Sequence, residues 1–399
     1  ASAGHRAPEI PGGRTLSAGD AALVNGTAAH VLDYDDVAIN GHPSAVLAPA
    51  ILAWGWQEAA SGADAIAAYV AGYEVWACLA SLETSHLHER GFHPTAIYGT
   101  IAAAAACARL ARLDETGAVH AMAIAASMAA GVVGNFGTMV KALHVGRAAQ
   151  SGVLAATLAR DGFTGAVDVL EHASGFMRAH HQPGLRPPAE AGLPSRRLRI
   201  EEMGVNLKRY PTCYATHRAI DAVLDIAAAR GIRPHDVAEL RVHTGATQMV
   251  MLRNHAPTTA LEAKFSMQFA LACALTEGKV GLAELEDALV RRPDIAALMR
   301  KVRITTTHDT MDDLPFAPQD RVAVVLADGR IVDAPPVAYA RGSWQKPMSD
   351  RELWEKFRDC TAQTFDPAQA EALFGRLSAL ESLGKLGDLP LVGHTSRAA

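Results

Sequence analysis

Apolar runs rich in alanine alternate with short polar breaks through the first 180 positions. The run Ala21 to Leu32 ends in three acids, Asp33, Asp35 and Asp36. A Gly41-His42-Pro43-Ser44 turn follows, and a second apolar run extends from Ala45 to Trp56. This pattern predicts two helices on either side of a loop dense in carboxylate and imidazole. Ser17 is suited to cap the first helix, which runs through Asn25 and His30. Pro43 or Ser44 opens the second, which reaches about Ala60. Asp64 caps a helix to about Ser85, and Gly91-Phe92-His93-Pro94-Thr95 is a turn feeding an alanine-rich helix over 95–112. Asp114 caps another, to about Ala130. Gly131, Gly134 and Gly137 punctuate a loop that ends in Lys141 to Arg147, with a helix over 148–159 and a short one within 166–181. Residues 1–16 read as an irregular lead-in. Residues 184–194 are Pro-rich and predict a linker.

Beyond the linker the periodicity changes. Leu198 to Leu207 reads as a strand and Thr216 to Arg230 as a helix with Ile220, Val223, Leu224 and Ala227 on one face. Val237 to Thr244 alternates as a half-buried strand does. Phe265 to Thr276 and Leu282 to Leu289 read as helices, and Val302 to Thr307 is β-branched. Arg321 to Leu326 and Ile331 to Ala334 flank a turn-forming Asp328-Gly329 and predict a hairpin. Ser349 caps a helix to about Cys360, and 366–384 is helical again. The expected division is a helical domain, 1–195 with 345–399, and an α+β domain, 196–344.

Composition narrows the class. Hydrophobic residues make up 49% of the 399 positions but aromatics only 6%, which favours closely packed helices over a β-sandwich. A net charge of −5 without a basic tail argues against nucleic acid as a partner. Five cysteines, three of them (Cys78, Cys107 and Cys273) in apolar runs, read as reduced thiols of a cytoplasmic protein. The longest apolar run, near Ala96 to Ala111, is broken by Thr100 and Arg109 and reads as a core helix, so no membrane span is expected. The chain opens at Ala1 without Met, which reads as a missing natural beginning.

Five polar clusters interrupt the apolar texture. They are Asp33 to His42; His93 between Phe92 and Pro94; Lys141, His144 and Arg147; Lys208 to His217, with Cys213 among them; and, more weakly, Lys264 before Ser266. Lysine, arginine and imidazole hold carboxylates, and an Asp or His moves a proton. That balance suits a small polyanionic substrate. His120, His172, His180 and His181 read instead as packed or surface residues. The acid triplet could bind Mg²⁺, but neighbouring residues on a helix diverge by about 100°. Nucleotide-binding glycine motifs and zinc spacings are absent from the sequence. No metal or organic cofactor is therefore expected.

The ordered set of motifs resembles the MmgE/PrpD family, which includes 2-methylcitrate dehydratases, cis-aconitate decarboxylases and iminodisuccinate epimerases. It comprises Val24-Asn25-Gly26-Thr27-Ala28-Ala29-His30 with Asp33-Tyr34-Asp35-Asp36, Gly41-His42-Pro43-Ser44, Gly91 to Thr95, and Asn135-Phe136-Gly137-Thr138 with Lys141. His144-Val145-Gly146, Tyr210 to Tyr214 with His217, and Lys264-Phe265-Ser266 complete it. The resemblance implies a mainly α protein, a large all-helical domain with a smaller inserted α+β domain, and a cofactor-free homodimer. It implies a cleft lined by Asp33, His42, His93, Lys141 and Lys208. Family members usually carry a further helical segment before the equivalent of residue 17. In the decarboxylases a His commonly stands where this chain has Cys213, and a Thr where it has Val37.

The implied chemistry is that of a lyase acting on a di- or tricarboxylate by proton abstraction next to a carboxylate, with 2-methylcitrate dehydratase first among the alternatives. Asp33 is cast as base or base-orienting carboxylate and His42 as proton donor or acceptor. Lys141 and Lys208 are cast as binding carboxylates and stabilising enolate-like charge. His93, His144, Arg147, Cys213, His217 and Lys264 are cast as substrate-binding. The rivals are an epimerase on an iminodisuccinate-like substrate, a cis-aconitate decarboxylase, and a non-catalytic helical scaffold.

Overall fold

The computed structural model describes residues 6–10, 12–83, 87–180, 197–311 and 316–392. The expected linker at 184–194 and His181 lie outside the described residues. The chain is mainly α and forms two compact units, 1–205 with 361–399, and 206–360.

In the first unit, α1 (Ala18–Val31) and α2 (Pro43–Gln57) flank the acid loop, as the hydrophobic pattern predicts. The Ser17 side chain accepts from the Asp20 N–H and so caps α1. Next come α3 (Gly62–Ser81), α4 (Pro94–Leu110), α5 (Glu115–Ala126) and α6 (Val140–Arg160). Three sequence expectations are corrected here. Ser61 is the cap of α3, and Asp64, three residues later, closes a reciprocal capping box with it. Lys141 to Arg147 are not loop residues but the first two turns of α6. Within the lead-in, Ala7–Pro8 pairs antiparallel with Thr15–Leu16.

The core of this unit is built from small residues. Apart from Arg109, every residue of α4 is buried. Helix α6 packs on it so tightly that a Cβ at Gly152 would lie 2.4 Å from the Ala103 Cβ. The same holds between α1 and α6, where a Cβ at Gly26 would lie 2.9 Å from the Gly146 Cα, and one at Gly146 2.2 Å from the Leu23 carbonyl. Glycine is therefore required at both positions, because the two backbones touch. Alanine and glycine contribute little area each, and their value here is the dense contact they permit.

In the second unit, α7 (His217–Arg230) precedes β1 (Val237–Gly245). Helices α8 (Met267–Glu277) and α9 (Pro293–Met299) lie in the crossover from β1 to β2 (Val302–Thr307), its parallel neighbour. The hairpin β3 (Arg321–Leu326) and β4 (Ile331–Asp333) completes a sheet of order β2-β1-β3-β4. Val242, Val322 and Val324 on one face share a core with Ile220, Val223, Phe269 and Leu271 of the helices. Gly329, with φ +86°, makes the predicted Asp-Gly turn. The expected strand at 198–207 is instead a helical turn over Arg199–Met203 followed by the two-residue strand Asn206–Leu207. Of 282–289, only 287–289 is helical, within the short helix Asp287–Val290.

Helix α10 (Asp350–Thr361) falls with the second unit up to Cys360, where the sequence reading places it with the helical one. Its side chains tie it there: Glu355 pairs with Arg209 at 3.3 Å, and Lys356 donates to the Lys208 carbonyl at 2.7 Å. The chain then returns to the first unit with α11 (Pro367–Ser378).

Candidate active site

The acid triplet emerges from the end of α1 in an unusual conformation. Asp33 adopts φ +52°, a left-handed position that glycine more often fills at a helix end. A few residues on, Ala38 and Gly41 exchange backbone hydrogen bonds across Ile39 and Asn40, both with positive φ. For a β-branched residue such as Ile39 this is strained. The turn is held because the Trp76 indole N–H donates to the Ile39 carbonyl at 3.1 Å. Local strain maintained by surrounding packing is a feature of functional loops.

The three carboxylates take three different partners. Asp33 accepts from Lys141 Nζ at 3.0 Å. Asp35 Oδ2 lies 2.8 Å from His30 Nδ1 and 3.2 Å from His42 Nδ1. Asp36 Oδ2 accepts from both the backbone N–H and the hydroxyl of Ser44, at 3.1 and 2.8 Å, and so supplies the cap that the His42 side chain does not give α2. Tyr69 hydrogen-bonds the same Ser44 hydroxyl at 2.7 Å.

The imidazoles form a row. Ring centroids are 4.5 Å apart for His30 and His42, 6.3 Å for His30 and His93, and 5.3 Å for His93 and His144. His93 and His144 meet through their Nδ1 atoms at 3.1 Å. The Phe136 ring stands edge-on to His93, and the Lys141 ammonium lies 5.5 Å from its centroid. His93 is set at the start of α4, with Pro94 as the first helical residue, and its N–H donates to the Gly131 carbonyl. Lys141 and His144, three residues apart, project from the first turns of α6.

Burial shapes the charge of this row. It pushes His30 down to about 4, despite the opposing pull of Asp35. Burial, reinforced by Lys141 and the other imidazoles, holds His93 well below the ordinary histidine value, and burial also lowers His144. These three rings are neutral at pH 7, because burial disfavours their protonated form. Burial pushes Asp35 upward, but the two imidazoles that donate to it outweigh that and hold it well below the usual carboxylate range. Burial and then the charge of Asp35 push Asp36 up to about 6.

His30, Asp35 and His42 are the one group among the described residues whose donor atoms, all within 4.8 Å of one another, could hold a metal ion. At 2.8 and 3.2 Å, however, the carboxylate is in direct hydrogen-bond contact with both rings, and the three groups would have to open around an ion.

Of the residues singled out from sequence, Asp33, His42, His93, Lys141 and His144 are brought together in this unit. Arg147 is not: it is exposed on α6 and bonded to Gln150. Lys208, Cys213, His217 and Lys264 belong to the second unit. There Lys208 is buried, the Cys213 N–H donates to the Lys264 carbonyl at 2.8 Å, and His217 packs between the rings of Tyr210 and Tyr214. Sequence reasoning gave no role to His30 or Phe136, and weighed Asp35 only as one of three acids that could bind Mg²⁺. The signal for His30 and Asp35 was the spacing of five between an imidazole at the end of an apolar helix and an acid in the loop beyond it.

Comparison with known proteins gives two consecutive matches, the MmgE/PrpD N-terminal domain over residues 2–186 and the MmgE/PrpD C-terminal domain over residues 210–378. The cis-aconitate decarboxylase of Homo sapiens is 30% identical over 379 residues, which span 91% of this chain and 76% of the relative. That of Mus musculus is 29% identical over the same shares. That of Aspergillus terreus (strain NIH 2624 / FGSC A1156) is 25% identical, covering 93% of this chain and 80% of the relative.

Proposed function

This chain belongs to the MmgE/PrpD family, and from that premise we propose that it is a lyase acting on a small di- or tricarboxylate through proton transfer at a carbon next to a carboxylate. The observation that carries this reading is the row of buried imidazoles beside the Lys141–Asp33 pair. Lys141 supplies a cation for a substrate carboxylate, and His42, at the end of the imidazole row, supplies a proton donor or acceptor. No organic cofactor or metal enters this reading. Asp33, His42, Lys141 and Lys208 would be the residues that act on the substrate. His93 would bind or orient it.

For the finer reaction, the relatives' names support loss of CO₂ from a cis-aconitate-like tricarboxylate. The electron pair of the breaking C–C bond then forms a new double bond, and the old double bond takes a proton at the carbon beside a remaining carboxylate. Dehydration of a 2-methylcitrate-like substrate is the second reading, favoured by Cys213 and Val37 at positions where decarboxylases commonly carry His and Thr. The assembly expected on either reading is a cytoplasmic homodimer.

Proton NMR in deuterated water with cis-aconitate, citrate, 2-methylcitrate, itaconate and iminodisuccinate tests both readings together. The expected result is loss of CO₂ or of water from one of the tricarboxylates. Deuterium exchange into recovered substrate without product would assign an epimerase instead. Inertness toward all five, with no rise in melting temperature on adding them, would leave the scaffold reading.

A further inference from the structure

We infer that Asp35 is a positioning residue for His42, holding with the Asp36 carbonyl a ring whose proton is on Nδ1, so that Nε2 is the nitrogen that takes and returns a proton of the substrate. The inference rests on the lyase reading for the word substrate, but the tautomer follows from geometry. His42 Nδ1 faces two groups, the Asp36 carbonyl at 2.7 Å and the Asp35 carboxylate at 3.2 Å. Neither an ionised carboxylate nor a carbonyl can donate, so the hydrogen must be on Nδ1. Neutral His42 is then confined to one tautomer, with its lone pair on Nε2. The neutral alternative, with hydrogen on Nε2, would place the Nδ1 lone pair against two oxygens.

His30 completes the arrangement from the other side. Its Nδ1 lies 2.8 Å from the same carboxylate oxygen, so it too must carry its hydrogen there. Two N–H groups converging on Oδ2 keep Asp35 ionised inside the protein and stop the carboxylate from turning away from His42. His30 is 2% exposed, and its Nε2 has no hydrogen-bond partner among the described residues. It therefore serves through Asp35 and not through a second anchor of its own. Asp33, the acid that sequence reasoning cast as base or base-orienting carboxylate, accepts from Lys141. The carboxylate–imidazole pairing belongs to the acid two residues further on.

The test begins without substrate, so it remains decisive if the proposed reaction is wrong. In protein labelled with ¹⁵N-histidine, long-range proton–nitrogen correlation spectra identify the protonated nitrogen of each neutral ring. The His42 signal is assigned by its loss in His42→Gln. The expected result is a protonated Nδ1 and an unprotonated Nε2 at His42; in Asp35→Asn the Asp36 carbonyl at 2.7 Å still accepts from Nδ1, so the same tautomer should persist and the loss of the carboxylate should appear in kcat. A protonated Nε2 at neutral His42 in the unmodified protein would overturn the inference whatever the variants do. With a turned-over substrate, Asp35→Asn should lower kcat on the order of 10³-fold while KM changes by less than about threefold, and Asp35→Glu should recover part of the loss. Unchanged kcat in a folded Asp35→Asn protein would overturn it as well. Should Asp35→Asn fail to fold, His30→Gln tests the same geometry, with a smaller loss of kcat expected and no change in kcat counting against it.

Discussion

Arg218 in the second unit and His30 in the first are both almost fully buried, yet their surroundings follow different rules. Arg218 donates to the carbonyls of Ala317 and Ala338 at 2.8 and 3.2 Å and to Gln248 at 3.0 Å. It pairs with Asp320 at 3.0 Å and lies over the Phe316 ring. Thr244 and Gln248 also donate to that Asp320 oxygen. A guanidinium does not lose its proton in a protein, so Arg218 keeps its charge while burial pushes the Asp320 carboxyl above its ordinary value, and the network joins α7, β1 and the segments around 317 and 338. His30 sits among groups that all titrate, and one of its nitrogens is unpartnered among the described residues. Asp320 Oδ2 is likewise buried without a hydrogen-bond partner among the described residues, so the difference lies in the cation: one that cannot give up its proton serves the fold, whereas buried groups that all exchange protons serve chemistry.

Four measurements would break or sharpen that contrast. The largest effect is expected from Arg218→Ala, which leaves Asp320 buried without its cation. Denaturant unfolding should show a loss of about 3–5 kcal/mol, and a loss below about 1 kcal/mol would mean that the network is ornamental.

Next is Asp36→Asn. Asp36 has its pKa raised to about 6 in the folded chain, against 3.8 as the unperturbed value. Its contribution to stability is therefore fully present below pH 3.8 and lost as pH rises through about 6. His30 runs the other way: with its pKa depressed to about 4, it favours folding increasingly as pH rises from about 4 to 6.5. In the unmodified chain the two slopes oppose each other between pH 4 and 6. The Asn variant should expose the rising slope and exceed the parent by about 3 kcal/mol above pH 6, with little difference at pH 4. Urea unfolding at pH 4, 5, 6 and 7 decides it, and parallel curves would refute the assignment.

Lys141→Ala should raise KM roughly 30-fold, about 2 kcal/mol, with a smaller change in kcat, because a cation that holds a carboxylate acts in ground and transition states alike. A pure kcat effect would move Lys141 from binding into the proton chemistry. The smallest effect is expected from Ser61→Ala, which removes one half of the α3 capping box far from the imidazole row in sequence. It should lower stability by about 1 kcal/mol and leave turnover unchanged. A turnover defect there would show that the row depends on the whole helical unit and not on its own loops.

Much of this was legible in the amino-acid order. The helices of the first unit follow from apolar runs with polar caps, and Asp328-Gly329 marked the hairpin. Strand 198–207 was misread because Leu198 and Ile200 alternate with charged residues over too few positions to exclude a helical turn. The start of α6 was placed too late because Gly131, Gly134 and Gly137 signal a loop but not where it ends. Within the candidate site, the residue types were visible but their pairings were not. Three acids in four positions look interchangeable in a sequence. Only the left-handed turn at Asp33 sends them to Lys141, to the imidazoles and to Ser44. Arg147 was chosen for its charge and its neighbours, and helix geometry turns it outward.

The contact of Gly26 with Gly146 gives the site a manufacturing tolerance. Asp33 leaves the end of the helix that carries Gly26, and Lys141 sits one and a half turns before Gly146 on the other. The gap between carboxylate and ammonium is thus gauged by two backbones resting directly on each other, with the Thr27 hydroxyl beside them. Any atom added at either glycine is a spacer of fixed thickness inserted under the working parts. The positions that can most finely detune the Asp33–Lys141 separation therefore carry no chemistry at all, and a search for functional residues by polarity alone would pass over both.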